Sequence, residues 1–315
     1  RRLAGRLKAS AEDGVIGGRV YPKASAQPPS MVYWTALATW GLTIPRRDGS
    51  LPSRTEVLRT LGAMARTNAR VVDADSRQLD ERTHVFVTVP DSPPEWDVSD
   101  SALGFALKPE ERRFLRTRMS AIVRRDASGA LALLARLADS NVDLRGAADP
   151  WSRWVRDVAD KEDRSVLVRA RQAASLAAVG RAVYAALVED WRDRIDGLQT
   201  PEMHRAHLRD VVRLHGPDAI DLDLTAVCGD EPGIASDPIV EVLKDTQQWL
   251  STGRSVTKLA DVYTHTEQRR KGVRRARLGV HLVNRERRLE WQPDEQPLAK
   301  PLHYRWPQVK RLLED

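Results

Sequence analysis

Apolar and polar positions along this chain recur mostly with the helical period. In the run 31–40, between Ser30 and Gly41, Tyr33, Leu37 and Trp40 fall on one side and predict a helix buried on most faces. Phe114, Leu115, Met119, Ile122 and Val123 form one apolar face after Lys108-Pro109, a pair suited to a first helical turn. The longest periodic stretch is 166–195, where Leu176, Val183, Tyr184, Leu187, Trp191 and Ile195 share a stripe. Gly180, set among alanines, permits close helix approach there. Shorter helical patterns are expected over 1–11, 53–68 and 129–140, then from Pro150 with Trp151 and Trp154 on one side, over 200–214 and 237–250, and onward from Ser255.

Local signals punctuate these stretches. Ser53 with Glu56 has capping-box spacing. Thr200-Pro201-Glu202 and Asp237-Pro238 read as an N-cap followed by proline in the first turn. Gly253 suits a helix stop, as does Gly14 after Glu12-Asp13. Val85-Phe86-Val87-Thr88-Val89 is the one clear strand-like run, beginning near His84 and ended by Pro90. Residues 91–101, acidic and carrying Trp96, read as a linker or surface loop. The expected fold is mainly α: an irregular multi-helix bundle with a small β element in the N-terminal third. Its expected domains are a mixed helical one with a short strand over 1–100 and a helical one with a basic C-terminal segment over 101–315.

Composition narrows the class. The 315 residues are long enough for a sizeable core and two domains. Lys and Arg number 51 against 44 Asp and Glu, a formal charge of +7; the isoelectric point is near 9.7 and the mean hydropathy is -0.48. Such a balance favours anionic partners, although an arginine-rich proteome gives the same number without functional meaning. Cys228 is the only cysteine, which excludes an intrachain disulfide and a cysteine-based zinc site. No apolar run approaches the ~20 residues that span a bilayer, and no signal peptide opens the sequence, so no membrane association and a cytoplasmic location are expected.

The most localised feature is basic. Arg269, Arg270, Lys271, Arg274, Arg275 and Arg277 place six cations in nine positions, and Arg285, Arg287 and Arg288 follow. Glu267 is the only acid nearby before Glu286, so helical neighbours cannot neutralise them all. A phosphate backbone is the natural counter-surface, because guanidinium forks pair with phosphate oxygens and displace condensed counterions. An acidic protein partner or a solvated face with Gly272 breaking the helix are the alternatives.

Other candidates are weaker. The nine tryptophans read chiefly as core, with Trp291 and Trp306, beside Arg288 and Arg305, the ones to test for exposure as base-stacking platforms. His204, His207 and His215 lack the companions of a tetrahedral metal set and read as surface or capping residues. Asp221 and Asp223 would share a face if they lay on a strand, where a divalent metal of a nuclease is held; an acidic loop is the plainer reading. Phosphate-cradling G-x-x-x-x-G-K-[ST], G-x-G-x-x-G and G-x-S-x-G motifs do not occur, and Cys228 precedes an acidic Gly229-Asp230-Glu231 that disfavours a thiolate. No catalytic residue, metal site or cofactor is therefore assigned.

Two stretches carry a likeness. One is Gly14-Val15-Ile16-Gly17 with Pro29-Ser30-Met31-Val32-Tyr33-Trp34, Leu37 and Trp40-Gly41. The other is Pro301-Leu302-His303-Tyr304-Arg305-Trp306-Pro307, with Val309 and Leu312-Leu313 beyond it. Together with Ala276-Arg277-Leu278, they resemble a bacterial domain-of-unknown-function family found in phage-defence gene neighbourhoods beside helicases and phospholipase D-like nucleases. The resemblance implies a non-enzymatic accessory subunit in anti-phage DNA processing or sensing, partnered by DNA and by a helicase or nuclease subunit. It supplies no catalytic residues. Family members usually carry a further N-terminal segment, which this chain is expected to lack. A protein-interaction scaffold without nucleic-acid contact, and a metal-dependent nuclease with a dispersed acidic site, are the other functions carried forward.

Overall fold

The computed structural model describes residues 2–10, 15–66, 85–99, 101–124, 128–140, 142–230, 232–253, 255–303 and 305–314. These form two compact units, Arg1–Asn141 and Val142–Glu314, so the division expected after residue 100 falls inside the first unit. The described residues are mainly helical.

The first unit holds Arg2–Ala9 (α1), Pro29–Val32 (α2), Trp34–Thr39 (α3), Arg54–Arg66 (α4), Pro109–Ser120 (α5) and Leu133–Asp139 (α6). Two starts follow the local signals. At α4, Ser53 N–H donates to Glu56 Oε2 at 2.8 Å and Glu56 N–H donates to Ser53 Oγ at 3.3 Å. At α5, Pro109 sits in the first turn and Lys108 N–H donates to Glu111 Oε2 at 2.6 Å. The predicted ends of the first helix at Gly14 and of α4 at Asn68 lie outside the described residues.

Two expectations fail here. The β element over 85–89 is a single antiparallel bridge between Thr43 and Phe86, with Ile44 N–H bonded to Val85 O and Val87 N–H to Leu42 O at 3.1 and 3.0 Å. One bridge has no further strand to extend it, and Pro90 supplies no N–H for the ladder. The helix over 31–40 breaks into α2 and α3, with no buried residue in either, and Met31, Val32 and Tyr33 are exposed. Of the two readings of 91–101, linker or surface loop, the described positions fit the second. Arg6 on α1 donates to Ser101 O at 2.8 Å, Trp96 O at 3.0 Å and the Glu95 carbonyl, tying the segment down.

The second unit holds Arg153–Val158 (α7), Lys161–Arg194 (α8), Met203–Ile220 (α9), Leu224–Asp230 (α10), Ile239–Thr252 (α11), Ala260–Lys271 (α12), Leu282–Leu289 (α13) and Trp306–Glu314 (α14). Its axis is α8, capped by Asp160, whose Oδ1 accepts Glu162 and Asp163 N–H groups at 3.1 and 2.9 Å. Leu176, Val183 and Leu187 of the predicted stripe are fully buried. They pack with Leu208 and Val211 of α9, Val242 of α11 and Tyr263 of α12. Ile195, at the end of the stripe, is exposed.

Helix α9 starts differently from the Thr200-Pro201 reading. The N–H groups of its second and third residues, His204 and Arg205, donate to the Glu189 carboxylate on α8 at 3.0 and 2.8 Å. Glu189 is fully buried, so a carboxylate from the core helix supplies the cap and meets the positive end of the α9 dipole. Thr200 N–H instead donates to Asp193 Oδ1 at 2.7 Å. At α11, Asp237 Oδ1 accepts Ile239 N–H at 2.9 Å and Gly253, φ 61°, ends the helix.

The C-terminal segment is held from α9 and from the start of the unit. His204 Nε2 meets Pro293 O at 2.9 Å and His207 Nε2 meets Ala299 O at 2.7 Å. Trp306 Nε1 donates to Ala147 O at 2.9 Å, and His303 stacks on Trp151 with ring centroids 5.9 Å apart. No helix among the described residues is long and apolar enough to cross a membrane.

Candidate nucleic-acid interface

The nine predicted cations cluster around one short turn, which three buried side chains shape. Helix α12 ends at Lys271, and Gly272, φ 79°, turns the chain into a 3-10 turn over Val273–Arg275. Residues 276–281 then lead to α13. Asn284 of α13, fully buried, donates from Nδ2 to Val273 O at 2.7 Å and Ala276 O at 3.0 Å. Glu267 of α12 accepts the N–H groups of Arg277 and Leu278 on Oε2 at 3.0 and 2.8 Å. Arg288 donates from Nη1 to Arg277 O at 2.6 Å and Gly279 O at 2.8 Å. Loop carbonyls and amides that would otherwise need water are thus satisfied from below.

This arrangement divides the predicted set. Arg288 leaves it: the side chain is 1% exposed and bonded to Asp196 of the loop after α8. It also lies over the Trp191 ring, 5.4 Å from the centroid. A guanidinium with its donors committed inside the protein offers none to phosphate. Arg287 donates from Nη1 to both oxygens of Glu290, at 2.9 and 2.8 Å. Lys271 Nζ donates to Glu267 Oε1 at 3.0 Å and rests over the Tyr184 ring. Arg277 is half-buried beside the Tyr184 hydroxyl.

Five cations remain both exposed and without a close ion pair among the described residues. Arg270 and Arg285 make only long contacts, 3.6 Å to Asp237 and 3.9 Å to Asp196, and are half-exposed. Arg269, Arg274 and Arg275 are exposed, and none of them has an ion pair among the described residues. Along the sequence, Glu267 is the one acid close to 269–277. Asp196 and Asp237 reach the cluster through the fold. Apolar side chains share this surface: Val280 is 75% and Leu282 69% exposed.

The other candidates resolve into structure. Trp291 and Trp306 are buried, 3% and 6% exposed, so neither offers a stacking face. Trp291 packs on His204 with centroids 5.1 Å apart, and Arg192 lies 5.9 Å over its ring. His204 is itself buried rather than on the surface. Burial lowers the His215 pKa against the nearby Asp218. Asp221 ends α9, and Asp223 caps α10 by accepting Thr225 and Ala226 N–H groups at 2.9 and 3.1 Å. Among the described residues no three or more His, Cys, Asp or Glu side chains gather where they could hold a metal ion.

A cavity of about 580 Å³ adjoins the basic turn, bounded by α8, α11 and α12. Sequence reading did not find it. Gly180 lines it, and the absence of a side chain there lets Tyr263 Oη stand 3.3 Å from where a β-carbon would be. No family model, curated protein or solved structure matches the chain.

Proposed function

We propose that this chain is a non-enzymatic accessory subunit that associates with nucleic acid, holding DNA through Arg269, Arg270, Arg274, Arg275 and Arg285. The observation that carries the reading is the pair Arg274 and Arg275, exposed and without ion pairs among the described residues, on a turn whose backbone is fixed from inside by Asn284, Glu267 and Arg288. Cations held on a fixed turn give up less freedom on meeting a phosphate backbone than cations on a mobile tail. The resemblance to the phage-defence family adds the setting: a bacterial anti-phage system in which helical surfaces meet a helicase or nuclease subunit.

The test is binding of a generic DNA duplex across a salt series, wild type against Arg274→Glu/Arg275→Glu. Each phosphate contact contributes about 0.9 to the slope of log affinity against log salt, so the double variant flattens it by about 2 and weakens binding at every concentration. Equal affinity and slope overturn the reading.

A second reading rests on Val280 and Leu282, whose exposure beside the arginines suits a mixed apolar and charged protein interface. Co-purification of a neighbouring subunit that survives nuclease treatment, and is lost in Leu282→Asp, favours this scaffold role over DNA binding.

A further inference from the structure

The cavity beside the basic turn has a polarity of its own. Its floor is formed by Gly180, Val242, Tyr263 and Thr266, all buried, and its mouth carries exposed Arg270, Lys271 and Leu302. A volume of about 580 Å³ lies within the range of small-molecule sites, which are mostly apolar with a few placed polar groups.

Two of those polar groups lack a full set of partners. Thr266 is 4% exposed, and its Oγ1 has no hydrogen-bond partner. Buried hydroxyls are ordinarily satisfied; Thr266 lines the cavity, while its Oγ1 is itself sealed from solvent. The neighbouring Tyr263 hydroxyl, by contrast, is already bonded to Thr246 Oγ1 at 2.8 Å.

Arg181 is the second. It is half-buried, and its guanidinium donates only to neutral carbonyls: Ala177 O at 3.4 Å and Lys300 O. No carboxylate lies within ion-pair distance of it among the described residues. Burial alone depresses its pKa, with no anion opposing the effect.

Of the remaining charges of the lining, Glu267 and Lys271 are committed and Arg270 faces outward. Glu267 Oε1 accepts from the Tyr184 hydroxyl at 2.6 Å and from Lys271 at 3.0 Å, while Oε2 takes the two turn amides. Arg270 faces Asp237 at 3.6 Å. A half-desolvated cation without a counter-charge, apolar walls and a residue with an unpaired hydroxyl therefore line a single space.

We propose that this cavity binds a small amphipathic carboxylate. Its anionic head pairs with Arg181, its apolar body lies against Ile239, Val242 and Leu243, and rotation of Thr266 about χ1 turns the sealed hydroxyl to a hydrogen-bonding group on the body. A guanidinium recognises a carboxylate through paired N–H groups, and the low dielectric around Arg181 strengthens that pairing. A neutral ligand would leave the cation uncompensated, and a wholly aliphatic one would leave the hydroxyl unpaired. The assignment is independent of nucleic-acid binding and does not use Arg274 or Arg275.

Para-hydroxyphenylacetate is the probe, titrated into the full chain with methyl NMR on Ile239, Val242 and Leu243 and with calorimetry. Saturable shifts at those methyl groups are expected, with affinity lowered at least ~tenfold for para-cresol, which lacks the head, and several-fold for phenylacetate, which lacks the hydroxyl. Arg181→Gln abolishes the preference for the acid over para-cresol, and Thr266→Val abolishes the preference for the hydroxylated acid over phenylacetate. Absence of saturable shifts in the wild type overturns the proposal, as does undiminished acid preference in Arg181→Gln. Should either variant fail to fold by circular dichroism, the wild-type methyl shifts and the three-ligand ranking decide alone.

Discussion

Arg288 donates from Nε and Nη2 to the two carboxylate oxygens of Asp196 at 2.8 and 2.7 Å, joining positions 92 residues apart. Both side chains are 1% exposed. The pair fixes α13 against the end of α8, and the remaining Arg288 donors hold the carbonyls of the basic turn. A cation that looked like part of a ligand surface is a support for that surface.

Breaking this pair from one side strands a buried charge. Arg288→Met is expected to lower unfolding free energy by about 3–5 kcal/mol, read from the urea midpoint. Arg288→Lys retains the charge and still loses the fork, so it restores little. Wild-type stability in either variant removes the support role.

Glu267 satisfies four donors from one buried position: Tyr184, Lys271 and the amides of Arg277 and Leu278. Glu267→Leu leaves the turn amides without acceptors and is expected to cost about 2–5 kcal/mol, with a smaller loss for Glu267→Gln. Amide hydrogen exchange at Arg277 and Leu278 is expected to accelerate in both. Unchanged protection there contradicts the clamp.

At Gly279, with φ 151°, an added β-carbon would meet Asn284 Oδ1 and Cγ and Gln268 Nε2 within overlap distance. Asn284 is fully buried and cannot withdraw without releasing Val273 O and Ala276 O. Gly279→Ala is therefore expected to lower stability by about 1–3 kcal/mol and to weaken DNA binding without removing a charge. A variant as stable as wild type shows that the turn relaxes freely.

The Asp193 pKa is depressed. Burial opposes this, but the Thr200 N–H and the Arg205 guanidinium, 2.5 Å away, outweigh it. The folded state therefore holds this proton less tightly than the unfolded chain. Its stabilisation is present above the ordinary carboxylate value and is lost as pH falls through the lower folded value. Asp193→Asn is expected to flatten the decline of unfolding free energy between about pH 5 and pH 2. Both side chains of the pair are about one-quarter exposed, so solvent screening keeps the effect modest. Parallel pH profiles for variant and wild type contradict the assignment.

What the sequence determined by itself was local. The helical period placed α8, the Ser53 and Lys108 signals placed the starts of α4 and α5, and Gly253 placed the end of α11. Each depends on residues three or four apart along one helix, so it is present before the chain folds. The crowding of arginine between Arg269 and Arg288 was equally legible. Tertiary structure decided which of those arginines face solvent, because burial and pairing depend on groups distant along the chain. Asp196 neutralises Arg288 from 92 positions away, and Asp237 faces Arg270 from another helix end. The same cause turned the strand-like run at 85–89 into one bridge and put Trp291, Trp306 and His204 inside. Alternation and aromatic content state that a segment can be buried or paired. Only the assembled partners supply the desolvation and the hydrogen bonds that make it so.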